Sequence, residues 1–306
     1  MRCLFLYNPV SGRGKIAKKL GRIVRALERK YGTVDTYATK GRGDMARAAA
    51  EAAEKYDALV FSGGDGSFNE VVQGVAGAGR IPELGYIPCG TVNDVAHSLG
   101  IPKRLGGALK VILSGERALL DCMKINDRYA MYIVAAGAFT SATYSTPQKL
   151  KRQIGRIAYG VEGIRKNMNF EVFDIDITAG GVRERTDCVF VALMNGRYVA
   201  GMRLNRRGSM ADGQIEAAVI RQCRKPNFFQ RVRAFFSLAN LFLFGYGVRE
   251  KNISRIRGSH FEIDAGDSVV WNFDGERGIC GKVVVDVLPK RIPVLYLIHI
   301  SEPTRH

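Results

Sequence analysis

The chain has 306 residues and is 46% hydrophobic, 25% charged and 9% aromatic. That is room for one large domain or two ordinary ones, and the composition excludes a disordered, collagen-like or repeat-biased chain. Lys and Arg number 46 against 29 Asp and Glu, a net charge of +17, which favours an anionic partner such as an acidic membrane, a polyphosphate or nucleic acid.

The first 120 residues alternate strand and helix signals. Cys3 to Tyr7 is a short apolar strand that ends in Asn8-Pro9-Val10-Ser11-Gly12-Arg13-Gly14, and Ile16, Leu20, Ile23, Val24 and Leu27 then recur at helical spacing. Thr33 to Ala38 reads as a second strand and Met45 to Glu54 as an alanine-rich helix. Ala58 to Phe61 is a buried-type strand, broken by Gly63-Gly64-Asp65-Gly66 before Phe68 to Val75 restores helical spacing. Leu84 to Ile87 is a fourth strand, followed by Pro88-Cys89-Gly90-Thr91 and a helix, and Leu105 to Leu113 is one more helix. Repeated strand–loop–helix units predict a parallel sheet covered by helices.

After about Leu119 the rhythm changes. Tyr129 to Ala136, Val172 to Thr178, Cys188 to Met194, Ile215 to Ile220 and Val283 to Leu288 read as strands; only Leu150 to Lys166 and Phe228 to Phe244 read as helices. The expected organisation is an α/β domain over residues 1–120 and a mostly antiparallel β domain over 121–296. Residues 297–306 (LIHISEPTRH) continue no pattern, read as a read-through scar, and are set aside from the fold.

Ser62-Gly63-Gly64-Asp65-Gly66-Ser67-Phe68-Asn69-Glu70 ends a strand and opens a helix. In a parallel sheet that is where ligands bind, and glycines there let backbone N–H groups approach a phosphate. It is neither a P-loop nor G-x-G-x-x-G, because Asn69 stands where the third glycine would be. The competing reading is a tight strand-to-helix turn with Asp65 and Ser67 as local caps. Asn8 to Lys15, Thr39-Lys40-Gly41 and Pro88 to Asp94 end at the same predicted edge. Each is a turn on its own terms, but four polar, Gly-rich loops on one edge are less easily dismissed. Ser209-Met210-Ala211-Asp212-Gly213-Gln214 and Asn272-Phe273-Asp274-Gly275-Glu276 are acidic turns of the second half, and Asp-Gly is also a common hairpin dipeptide.

In this order the motifs resemble the diacylglycerol kinase catalytic family, with its sphingosine- and ceramide-kinase relatives, over roughly Arg2 to Val294. Phe139 to Tyr159 looks most like the bacterial branch. The resemblance implies a nucleotide-binding α/β domain (NAD-kinase/diacylglycerol-kinase-like) joined to a β-sandwich, with ATP in the cleft between them. It implies ATP contacts from Asn8, Thr39, Gly63, Gly64, Asp65, Gly66, Ser67, Phe68, Asn69 and Thr91. Asp65 would organise a catalytic Mg2+, and Ser209, Asp212 and Gln214 match a structural magnesium site. Glu276 matches the general base that takes the proton of a lipid hydroxyl. The reaction implied is ATP- and Mg-dependent phosphorylation of diacylglycerol to phosphatidic acid, within phospholipid metabolism. The alternatives are a kinase of a sphingoid base or of phosphatidylglycerol, or an NAD-kinase-like enzyme. Ser67 stands where the family usually has Thr, and the hydroxyl is kept.

Between Arg221 and Arg257 there are nine basic residues and one acidic, Glu250, among many phenylalanines. A basic, aromatic helix suits an anionic membrane interface, with the Lys149 to Arg152 cluster as an addition; a core helix with solvated arginines is the competing reading. The apolar run from Ala234 to Tyr246 is broken by Ser237, Asn240 and Gly245, too soon to span a bilayer. Six cysteines form no C-x-x-C pair, as expected of reduced thiols. With no signal-peptide pattern at the N-terminus, the expectation is a cytoplasmic enzyme peripherally associated with the membrane. Nucleic acid is not an expected partner, because no RRM, KH or zinc-finger pattern is present. The resemblance is compatible with a homodimer, which no sequence feature demands. His260 has no obvious partner, and Trp271 is expected to pack in the β domain.

Overall fold

The computed structural model describes residues 1–138, 170–247 and 250–296. The Phe139 to Tyr159 segment, the helix expected over Leu150 to Lys166, the Lys149 to Arg152 cluster and the tail from 297 lie outside the described residues. The chain divides into two compact units, Met1–Cys122 with the return from Leu288, and Met123–Val287. The boundary is thus two residues beyond the expected one. Residues 288–296 also go back to the first unit instead of staying with the β domain.

The first unit is a parallel sheet in the order β4-β3-β1-β2, built from β1 (Arg2–Tyr7), β2 (Thr33–Ala38), β3 (Ala58–Gly63) and β4 (Glu83–Pro88). Every residue of β3 is buried, as its unbroken apolar run requires of a strand covered on both faces. Helix α1 (Leu20–Tyr31) buries Ile23, Leu27 and Tyr31 at helical spacing, and α2 (Asp44–Ala53) buries its alanine face. Close packing of α2 on α3 (Asp65–Val75) depends on Gly74: a Cβ there would stand 2.2 Å from the Ala46 carbonyl oxygen. Helices α4 (Asp94–Ser98) and α5 (Leu105–Ser114) complete the alternation. The chain leaves through β5 (Glu116–Ile125) and comes back in the last residues of β15 (Val283–Tyr296), where Val294 pairs in parallel with Leu84. The return is anchored by polar contacts. The Arg291 guanidinium donates to the carbonyls of Ala76 (2.8 Å) and Ala78 (2.5 Å), and the Lys290 N–H donates to Asp121 (2.8 Å).

The second unit is antiparallel. The stretch read as one strand from Tyr129 to Ala136 is two, β6 (Arg128–Ala130) and β7 (Ile133–Gly137). Strand β7 pairs with β9 (Val182–Met194), which also pairs with β8 (Phe173–Ala179) and β10 (Ile215–Arg221). Strands β11 (Ile253–Gly258), β12 (His260–Asp264), β13 (Val270–Phe273) and β14 (Glu276–Cys280) complete a β-sandwich. Strict alternation in β8 sends Phe173, Ile175, Ile177 and Ala179 into a core shared with Val191, Phe261, Ile263, Trp271 and Val285. Trp271 is fully buried there, and its indole N–H donates to the Gly281 carbonyl at 2.9 Å. His260 does have a partner. It lies opposite Asp286 in the β12–β15 register, with Nδ1 2.6 Å from the carboxylate. Helix α6 (Phe228–Phe244) is the described helix of this unit.

Candidate functional site

The parallel order brings the ends of β2, β1, β3 and β4 to one edge, so the four loops singled out in the sequence are neighbours. In the first loop, the Asn8 carboxamide accepts from the Val10 N–H (3.0 Å) and its carbonyl from the Ser11 N–H (3.1 Å), closing a tight turn. Ser11 Oγ then stands 3.4 Å from the Cys89 sulfur of the loop after β4. Thr39 ties the end of β2 to β1 by donating its N–H to the Tyr7 carbonyl at 2.9 Å.

The loops after β3 and β4 are locked together by backbone contact. A Cβ on Gly90 would fall 2.4 Å from the Gly64 Cα, and one on Gly63 would fall 2.1 Å from Ser67 Oγ. Only glycine permits these approaches. Asn93, in the left-handed region at φ 61, accepts from the Gly90 N–H (3.0 Å) and donates to the Gly90 carbonyl (2.9 Å). The hydroxyl of Tyr86 lies 3.2 Å from the Gly63 carbonyl and 3.3 Å from Asn93 Oδ1, beneath both turns.

Asp65 holds the second half of this lock. Its carboxylate accepts the N–H of Asn93 at 2.7 Å and of Val95 at 3.3 Å, so it caps the start of α4 from across the gap. Burial pushes its carboxyl up from the ordinary range, and the N–H groups of Val95, Asn93 and Asp94 pull it back. Phe68 goes elsewhere. Its ring is fully buried, edge-on to Phe61 and Tyr86 at 5.3 and 5.1 Å, and its N–H is spent on the Gly64 carbonyl, so it supports the turn from the core. Asn69 is also buried, whereas Thr91 is exposed and its carbonyl accepts from the Lys103 ammonium at 3.3 Å. Sequence reasoning passed over Asn93 and Lys103. Asn93 was in the Pro88 to Asp94 motif, and its left-handed backbone was the signal to look for. Nothing in the sequence marked Lys103.

In the second unit, Glu276 opens β14, half-buried, just past the Asp274-Gly275 turn. Asp274 is buried and its carboxylate accepts three backbone N–H groups, from Met131 (2.6 Å), Tyr132 (2.9 Å) and Ile133 (3.0 Å). Those three bonds also explain why β6 and β7 are separate strands: the intervening N–H groups point to a side chain and not to a neighbouring strand. Ser209, Asp212 and Gln214 share one turn, in which Ser209 Oγ accepts from the Ala211 N–H (3.3 Å) and Asp212 Oδ1 from the Gln214 N–H (3.2 Å). The other Asp212 oxygen takes the Arg257 guanidinium at 2.8 Å, and Arg257 also reaches Glu216 at 3.3 Å. Burial raises the Glu216 carboxyl, with the Asn205 amide (2.8 Å) acting the other way.

Among the described residues no three His, Cys, Asp or Glu side chains gather as a metal cluster. Asp65 is engaged by backbone N–H groups, and Asp212 is paired with Arg257.

Comparison with known proteins agrees with both units. The family model for the diacylglycerol kinase catalytic domain matches residues 2–125, and that for the YegS C-terminal NAD kinase beta sandwich-like domain matches residues 132–296. The chain is 30% identical over 280 residues to the diacylglycerol kinase of Bacillus subtilis (strain 168), covering 90% of each. It is 39% identical over 181 residues to that of Staphylococcus aureus (strain bovine RF122 / ET3-1), covering 59% of this chain and 58% of the relative. In fold it matches a solved chain from Bacillus anthracis str. Sterne with a TM-score of 0.83 at 24% identity, over 98% of this chain and 96% of the other. A second from the same organism gives 0.77 at 22% identity, over 98% of each. Two domain families in the right order, and a relative aligned along nine-tenths of both chains, place this protein in the bacterial diacylglycerol kinase family of lipid kinases.

Proposed function

We propose that this kinase transfers the γ-phosphoryl group of ATP to the free hydroxyl of diacylglycerol, giving phosphatidic acid. The observation that carries the nucleotide side is the lock between the Gly63–Gly66 and Pro88–Asp94 loops. It is a rigid, glycine-only surface at the start of an eleven-residue helix whose first-turn N–H groups have no partner within the helix. Phosphoryl transfer asks mainly for positioning and charge neutralisation. The backbone of Gly64 to Ser67 supplies the first, with Asn8, Thr39, Asn69 and Thr91 around it; the Lys103 ammonium supplies part of the second. Asp65 is the positioning residue that keeps the two loops in register. Glu276 is the general base for the acceptor hydroxyl, a role that typically contributes about 10²–10⁴-fold. Magnesium, where it is used, would be held largely by the nucleotide's own phosphate oxygens and would supply further charge neutralisation.

The test is γ-phosphate transfer from ATP and magnesium to diacylglycerol in mixed micelles, beside sphingosine, phosphatidylglycerol and NAD. Product from diacylglycerol alone supports the proposal. Product from another acceptor and none from diacylglycerol refutes the acceptor while keeping the transfer chemistry.

A further inference from the structure

Helix α6 is apolar on two opposite sides, and the fold uses only one. Ala234, Ser237, Leu238 and Leu241 are buried against the unit, and the Phe242 ring lies 5.9 Å from that of Phe190. On the far side Phe229, Phe236 and Leu243 stand seven residues apart. At about 100° per residue they form one line along the helix. They are 80%, 56% and 61% exposed, and Phe228 and Phe244 flank the line, exposed as well. The helix is firmly ended. Asn227 and Gln230 form a reciprocal capping box at 2.9 Å each way, and Gly245 closes the far end at φ 82. A core helix with solvated arginines does not leave such a crest in water.

The charge near the crest that is not taken up by an ion pair or turned to the buried side is basic. Glu250, the one acidic residue between Arg221 and Arg257, is turned toward the buried side, where it holds Ser237 and Asn240 (3.2 Å). Arg221 and Arg224 are neutralised by Glu184 and Asp187. Lys225 and Arg233, both exposed, make no ion pair among the described residues. At the other end of the helix the Tyr246 N–H donates to the Leu204 carbonyl, which brings up a loop bearing the exposed Arg203, Arg206 and Arg207.

We propose that α6 is a membrane-docking element that lies in the plane of an anionic lipid surface. Phe229, Phe236 and Leu243 enter the acyl region, and the basic side chains at both ends meet the headgroups. The inference rests on the lipid-kinase reading for its purpose, since an acceptor held in a bilayer must be reached there. Crossing is ruled out for this helix: its 17 residues span about 25 Å, and no described helix is long and apolar enough. A second copy is a poorer occupant, because a two-fold contact through this face would set the basic ends of one copy against those of the other.

Co-sedimentation of the full chain with vesicles tests this, using phosphatidylcholine alone or with about 30% phosphatidylserine and neither diacylglycerol nor any other candidate acceptor. The expected result is salt-sensitive binding to the anionic vesicles that falls at least about tenfold in Phe229→Asp/Phe236→Asp, with micellar turnover kept. If that pair fails to fold by circular dichroism, Phe229→Ser and Phe236→Ser decide singly. Undiminished binding of the folded variants overturns the proposal. So does a wild-type dimer, seen by light scattering, that Phe236→Asp dissociates. Vesicles without acceptor read docking alone, so a failed acceptor assay and a failed docking assay are told apart.

Discussion

Asp274 should matter more for stability than any exposed carboxylate of the second unit. It sits in a hairpin turn with φ 51 at Asp274 and 88 at Gly275, the two positive angles that a tight β-hairpin needs. Oδ1 accepts from Tyr132 and Ile133, and Oδ2 accepts from Met131. Asp274→Asn can keep an oxygen at the Oδ1 position, but it turns an NH₂ toward the Met131 N–H. One buried donor is then orphaned and two bonds lose their charge, a loss of about 2–3 kcal/mol. Asp274→Ala orphans three donors and should lose about 4–6 kcal/mol. For a unit of this size the Asn variant should melt about 4–12 °C lower. The chain's single tryptophan, Trp271, is buried in this unit and neighbours the hairpin, so its fluorescence follows this transition specifically. An Asp274→Ala protein that melts within about 3 °C of wild type would refute the reasoning.

Glu276→Gln should lower kcat at least about 100-fold and leave ATP binding intact, measured by single-turnover kinetics and nucleotide titration; normal turnover would remove it as the base. Gly90→Ala drives a methyl group to 2.4 Å from the Gly64 Cα and should weaken ATP binding while costing about 1–3 kcal/mol; calorimetric titration reads the first and melting the second. The His260 imidazole is held above its ordinary range, first by its hydrogen bond to Asp286. Its contribution is therefore complete below the unfolded value near about 6.5 and lost as pH rises through the raised folded value. Asp286→Asn should lower stability by less than about 1 kcal/mol at low pH and by nothing at high pH, a convergence visible in melts across that range. Arg257 holds one Asp212 oxygen and competes for its charge, so magnesium bound at Asp212 should raise the melting temperature of Arg257→Ala more than that of wild type. An equal response would separate Asp212 from the metal.

Much of the first unit was legible because its signals are local. An unbroken buried strand, a glycine turn and a restored helical period occur within about twenty residues at β3 and again at β4, and parallel topology then puts the loops on one edge without further information. The antiparallel unit was less legible because its partners are distant in sequence. Asp274 meets Met131 to Ile133 across more than 140 residues, so one strand was expected where its carboxylate makes two. His260 and Asp286 meet only through the β12–β15 register. The return of β15 to the first unit is fixed by Arg291 and Lys290, whose partners Ala76, Ala78 and Asp121 carry no sign of the contact in their own neighbourhoods.

Two of the three Asp-Gly motifs, those at Asp65 and Asp274, show what a motif can and cannot reveal. Both drew attention as chemistry, and in both the structure spends the aspartate on backbone N–H groups: Asp65 on Asn93 and Val95, Asp274 on Met131 to Ile133. A buried carboxylate that accepts two or three such bonds fixes a loop more rigidly than an apolar contact, because the bonds are directional and a missing one is costly. What each aspartate fixes is the group beside it. Asp65 sets the glycine surface at the ends of β3 and β4, proposed above to receive phosphate, and Asp274 sets the start of β14, where Glu276 stands. On this reading, substituting either aspartate disturbs activity through geometry. Asp65→Asn should then raise the nucleotide Kd and loosen amide-exchange protection at Asn93 and Val95 together. A variant inactive with both unchanged would instead make Asp65 a participant in the transfer itself.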